Sequence, residues 1–109
     1  MVCANAGDSR ACYSGAEGTP TQALSHDHKP SNQRERRRIE RAGGLVAGGR
    51  VDGCLAVSRG LGDFKFKQEA GLPPKRQRVS AEAEVMVRAR AANRTTRAPQ
   101  VPAAAQAQL

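Results

Sequence analysis

Aromatic side chains are nearly absent from this chain, with no Trp, one Tyr and two Phe in 109 residues. Rings supply much of the buried area of ordinary cores, and much of the apolar fraction here is Ala, which buries little. The length gives room for one domain, and a domain of this size buries roughly 65% of its unfolded surface. So thin an apolar supply predicts a chain that folds poorly alone. No C-x-x-C pair is present, and the cysteines are odd in number: Cys3, Cys12 and Cys54. That removes a disulfide framework and a zinc site from consideration and fits reduced thiols in the cytoplasm or nucleus. The N-terminus lacks a basic region followed by an apolar run, so no secretory signal is expected. Nor does any stretch approach the roughly 20 apolar residues of a membrane span. Acids are missing from Met86 onward, where Arg88, Arg90, Arg94 and Arg97 stand among Ala, Thr, Pro and Gln. Such a composition cannot offset its ordering entropy. Residues 86–109 are therefore expected to be a disordered basic tail, following a partial domain over 1–85.

What is present is positive charge, a net +8, with half of the excess in that tail. The rest gathers in Arg34, Arg36, Arg37, Arg38 and Arg41 and in Lys75, Arg76 and Arg78. A basic chain can bind nucleic acid or anionic surfaces through charge alone. Without interleaved aromatics for base stacking, nucleic-acid binding is expected to be non-specific if it occurs. Pro74-Lys75-Arg76-Gln77-Arg78 loosely matches a basic localisation signal.

Local patterns place the elements. Val2-Cys3-Ala4 and Ala11-Cys12-Tyr13 flank the turn-forming run Asn5-Ala6-Gly7-Asp8-Ser9, which predicts a β-hairpin. A helix is expected from Arg34 to Arg41, where strong helix formers follow Pro30. Asn32 and Glu35 have the spacing of a capping box. Ile39 and Ala42 give it one narrow apolar stripe, the arginines a solvated face, and Gly43 a left-handed stop. Leu45-Val46 and Arg50-Val51 read as short strands around Ala47-Gly48-Gly49. Phe64 and Phe66 alternate with Lys65 and Lys67, a strand or a loop with anchored rings. Val79 to Val85 predicts one more strand.

Three patches stand in register. They are Ala4-Asn5-Ala6-Gly7-Asp8-Ser9-Arg10-Ala11, then Asp27-His28-Lys29-Pro30 followed by Glu35, Arg38-Ile39 and Ala42-Gly43-Gly44, then Gly49-Arg50-Val51-Asp52-Gly53-Cys54-Leu55-Ala56-Val57-Ser58-Arg59-Gly60-Leu61-Gly62-Asp63-Phe64. Together they resemble the middle of the catalytic domain of the protein phosphatase 2C family, the metal-dependent serine/threonine phosphatases. The resemblance implies an α/β (α+β) fold, part of a two-sheet antiparallel β-sandwich flanked by helices and incomplete in this chain. It also implies a binuclear Mg²⁺ or Mn²⁺ centre held by aspartates and waters. A metal-activated water would hydrolyse phosphoserine and phosphothreonine in protein substrates.

Only one position with a metal role in the family matches here: Asp8, which corresponds to an aspartate that holds a weaker additional metal. The other metal aspartates and the phosphate-binding arginine of the family lie outside the matched stretch, so no catalytic residue is assigned. In this chain by itself, Asp8 is expected instead to cap its own turn by accepting from backbone N–H groups. His28 is expected to make structural hydrogen bonds, and Arg59 with Asp63 a buried pair. His26 and His28 have a strand spacing for a transition metal, but two ligands do not make a site. The chain is thus expected to be an enzyme fragment, inactive alone, with a shifted reading frame near Val85 accounting for the tail. The alternatives are a non-catalytic regulatory piece and, ranked lower, a basic nucleic-acid-binding segment.

Overall fold

Small apolar residues and glycine-rich turns favour short strands over long ones, and that is what forms. A computed structural model of the chain describes residues 1–89. It contains β1 (Val2–Asn5), β2 (Cys12–Tyr13), β3 (Gln22–Ala23), helix α1 (Gln33–Arg41), β4 (Val46–Ala47), β5 (Arg50–Val51) and β6 (Glu84–Val87). Two 3₁₀ turns, Phe64–Phe66 and Pro74–Arg76, lie between β5 and β6. The strands form three separate two-stranded sheets, β1–β6, β2–β3 and β4–β5, all antiparallel. The expected mixed α/β architecture holds, and no sandwich closes among the described residues. No helix among them is long and apolar enough to cross a membrane.

The N-terminal hairpin does not form. β1 pairs with β6, Val2 opposite Val87 and Ala4 opposite Val85, while Cys12 and Tyr13 pair with Ala23 and Gln22. The reason lies in the turn. Gly7 gives both its backbone groups to His28: its N–H donates to the ring, and its carbonyl accepts from the His28 N–H. The 5–9 segment is therefore tied to the 26–28 segment, and β1 leaves β2 to seek another partner. The strand predicted over Val79 to Val85 lies further on, at Glu84–Val87, so Met86 and Val87 belong to a paired strand although the sequence assigned them to the tail. The disorder expected of the tail concerns residues 90–109, which lie outside the described residues.

Around α1 most expectations hold. Asn32 occupies the N-cap with extended backbone, but its side chain makes no cap bond. It donates instead to the Asp27 carbonyl at 2.7 Å. Gly43 adopts φ +81°, and the Gly44 N–H returns to the Ile39 carbonyl at 2.9 Å, closing the helix in a left-handed cap. Between β4 and β5, Gly48 and Gly49 have φ +58° and +72°, the pair of positive values that a two-residue type I′ hairpin demands.

The core is small. Ile39 from α1, Val51 from β5, Phe66 and Val79 form its buried cluster, with Val46 and Leu55 packed against it. Of the two rings, Phe66 is anchored there while Phe64 stays 73% exposed.

Candidate functional site

The Gly7–Asp8 turn is built from both sides. β1 delivers Asn5, whose side-chain amide donates to the Gly7 carbonyl at 3.1 Å and the His26 carbonyl at 2.9 Å. From the other side, the His28 N–H donates to the same Gly7 carbonyl at 2.9 Å. The Gly7 N–H donates to His28 Nδ1 at 3.1 Å. Accepting at Nδ1 fixes the neutral tautomer with its proton on Nε2. The structural role expected for His28 is therefore what the geometry gives. Its ring is buried, and burial, followed by the charge of Arg59, holds its pKa below the usual histidine value.

His28 Nε2 has no hydrogen-bond partner among the described residues and stands 3.6 Å from a Glu84 carboxylate oxygen. The other Glu84 oxygen lies 2.7 Å from His26 Nδ1. That hydrogen bond, the larger effect, holds the Glu84 pKa below its ordinary value against partial burial. Both histidines thus lean on one carboxylate that the sequence places almost sixty residues away.

Asp8 is half-buried and its carboxylate pairs with the Lys29 ammonium. Beside it, Arg10 grips Asp27 with two bonds of 3.1 and 2.7 Å. The hydrogen bond from Arg10 lowers the Asp27 pKa despite some burial. Among the described residues, no three His, Cys, Asp or Glu side chains are grouped to hold a metal ion. A hard divalent cation takes six or more oxygen ligands, so these residues do not fit a complete centre. Asp8 can supply one carboxylate and no more.

Behind the turn sits a charge cluster that the sequence reading missed. Glu35, expected to cap the helix, is 2% exposed. Its carboxylate accepts from Arg38 at 2.6 Å, the Ser58 hydroxyl at 2.8 Å and Arg59 Nη2 at 2.7 Å. Arg38 also donates to the Gln77 carbonyl, and Arg59 to the Glu82 carbonyl. Burial alone would raise the Glu35 pKa, but the Arg59 hydrogen bonds, the Arg38 charge and the Ser58 hydroxyl outweigh it and bring it down to about 2. The Arg59–Asp63 pair expected from the sequence is absent. Arg59 is buried against Glu35, while Asp63 is exposed at a left-handed φ of +48°. A usable signal existed: Glu35, Ile39 and Ala42 share one helical face, and a carboxylate on an apolar stripe calls for a buried cation.

This cluster fastens the second motif to the third, and the Gly7–His28 bonds fasten the first to the second. The Ser58 N–H donates to the His28 carbonyl at 3.0 Å, and Ser80 and Gly60 extend the ladder.

The sequence pattern of the protein phosphatase 2C family matches residues 1–96. The chain is 51% identical over 87 residues to protein phosphatase 2C homolog 2 of Schizosaccharomyces pombe, covering 80% of this chain and 23% of that protein. It is 52% identical over 90 residues to the mouse protein named probable protein phosphatase 1N, covering 83% of this chain and 22% of that protein. A crystal structure of a phosphatase from a pathogenic strain of Toxoplasma gondii superposes with a TM-score of 0.73 at 46% identity, over 77% of this chain and 26% of that one. The chain spans about a quarter of the length of the relatives it matches.

Proposed function

The chain belongs to the protein phosphatase 2C family, and from that premise we propose that it is part of a metal-dependent phosphatase acting on phosphoserine and phosphothreonine in proteins. The match at about half identity across most of the chain carries the reading. The clamp of Glu35, Arg38, Ser58 and Arg59 supports a scaffold role, since it locks the second and third matched motifs to each other. Asp8, on a turn tied at both Gly7 backbone groups, is proposed to offer one carboxylate to a Mg²⁺ or Mn²⁺ ion whose other ligands come from elsewhere in the enzyme. Hard cations of this kind favour such oxygen donors. To do so, Asp8 exchanges its Lys29 partner for the ion. The 109 residues alone are proposed to be inactive. A cytoplasmic or nuclear location, in keeping with three free thiols, belongs to the same proposal.

A segment exchange tests this. Residues 1–87 replace the matching stretch of the S. pombe relative, and Mn²⁺-dependent hydrolysis of a phosphoserine peptide is measured. The chimera is expected to stay active, Asp8→Asn in it to shift the Mn²⁺ requirement upward, and the isolated chain to release no phosphate with Mn²⁺ present. A folded but inactive chimera would refute the reading.

A further inference from the structure

Helix α1 turns a row of cations away from the core. Arg34, Arg37 and Arg41 stand at i, i+3 and i+7, within an arc of about 60°, and all three are exposed. The inward face holds Glu35, Ile39 and Ala42, all buried. The 3₁₀ turn Pro74–Arg76 packs beside the helix. Arg38 Nε bonds to the Gln77 carbonyl at 3.1 Å and Arg78 Nε to the Ala42 carbonyl at 3.5 Å, holding it there. The turn adds exposed Lys75 and Arg76 beside the helix.

Among the described residues, none of these five cations pairs with a carboxylate. The nearby acids are already engaged: Glu35 with Arg38 and Arg59, Glu40 with Arg36, Asp52 and Glu69 with Arg78. Residues 90–109 contain no Asp or Glu to neutralise them. Like charges at these helix spacings destabilise by a few tenths of a kcal/mol per pair. The helix bears that repulsion with no structural return, and an anionic ligand would relieve it.

We propose that this face docks an acidic, phosphorylated stretch of the protein substrate, an inference that rests on the phosphatase reading above. Guanidinium groups bind carboxylate and phosphate with paired hydrogen bonds. Arg34 and Arg41 lie about 10 Å apart along the axis, the span of about three residues of extended polypeptide. Nucleic acid fits less well: the chain's rings are Tyr13, Phe64 and Phe66, none on α1 or on the Pro74–Arg76 turn, so bases find no stacking platform.

The test is fluorescence anisotropy of the whole chain with a short labelled peptide of alternating glutamate and phosphoserine, at about 0.15 M salt. EDTA keeps the peptide uncleaved, so this assay reads docking alone, and the phosphatase reading stands or falls separately with the chimera. Arg37→Gln with Arg41→Gln is expected to weaken binding by about tenfold or more. Lys65→Gln with Arg88→Gln, which removes the same charge elsewhere, should weaken it by less than about threefold. Equal losses in the two double variants would reduce the effect to bulk charge and overturn the proposal. So would failure of the unaltered chain to bind. A single-stranded oligonucleotide of equal charge that bound more tightly than the peptide, and lost more on Arg37→Gln with Arg41→Gln, would overturn it in favour of a nucleic-acid surface.

Discussion

Replacing Glu35 with Gln keeps the side chain's shape and removes its charge at the point where three residues converge. Two guanidiniums depend on that charge, Arg59 with a side chain 6% exposed and Arg38 with one 14% exposed. Breaking a buried pair from one side costs about 3–5 kcal/mol, because the remaining charge is left uncompensated. A second route gives a similar figure. The Glu35 pKa falls from 4.5 to about 2, and each pH unit is worth about 1.4 kcal/mol, so the ionised form contributes about 3 kcal/mol. The sign follows from proton uptake. Between pH 4.5 and about 2 the unfolded chain binds the proton and the folded chain does not, so stability rises with pH. The contribution is complete above pH 4.5 and is lost as pH falls through about 2. Urea unfolding followed by circular dichroism reads both effects. With a slope of about 1–2 kcal/mol/M, Glu35→Gln should lower the midpoint at pH 7 by about 2 M or leave the chain unfolded. Where it still folds, it should flatten the decline between pH 4.5 and 2. Glu40→Gln, which breaks the Arg36 pair between half-exposed side chains, should change stability by less than about 0.5 kcal/mol. A Glu35→Gln midpoint within about 0.5 M of the unaltered chain would refute the clamp as a source of stability.

Two other substitutions separate the turn from the hairpin. His28→Ala leaves the Gly7 N–H without its acceptor and opens a void, which should cost about 2–4 kcal/mol and lower Tm by about 10 °C or more. His28 titrates below the usual value of 6.5 in the folded chain, so its share of stability is present above pH 6.5 and lost below it. The variant should lose that part of the acid dependence in a thermal scan across pH 5 to 7. Gly49→Val meets no neighbouring atom but must adopt φ +72°. The strain of about 1–2 kcal/mol should appear as a Tm drop of about 5–10 °C.

Much of the fold was legible because its determinants are local. Gly43 stops the helix, and Gly48-Gly49 makes the hairpin, as glycine's freedom at positive φ dictates. Ile39 and Ala42 mark the buried face of α1. The N-terminal hairpin was misread because a turn-forming run between apolar residues says nothing of which strand answers. His28 claims both Gly7 backbone groups from a distant segment, and that redirects β1 to β6. Glu35 was misread as a cap because the box spacing and the buried-face spacing coincide at that residue. Asn32 spends its side chain on Asp27 instead.

The sequence by itself determined family membership, the helix with its glycine stop, the hairpin turn and the placement of Asp8 on the Gly7–Asp8 turn. These follow from residue order and near-neighbour backbone preference. Only the tertiary structure decided what holds the motifs together: Glu35 between Arg38 and Arg59, and His26 and His28 against Glu84. It also separated the engaged cations from the row on α1 that has no carboxylate partner among the described residues. Charge partners across tens of residues are set by which buried groups lack water, and that is known only once the chain has closed on itself.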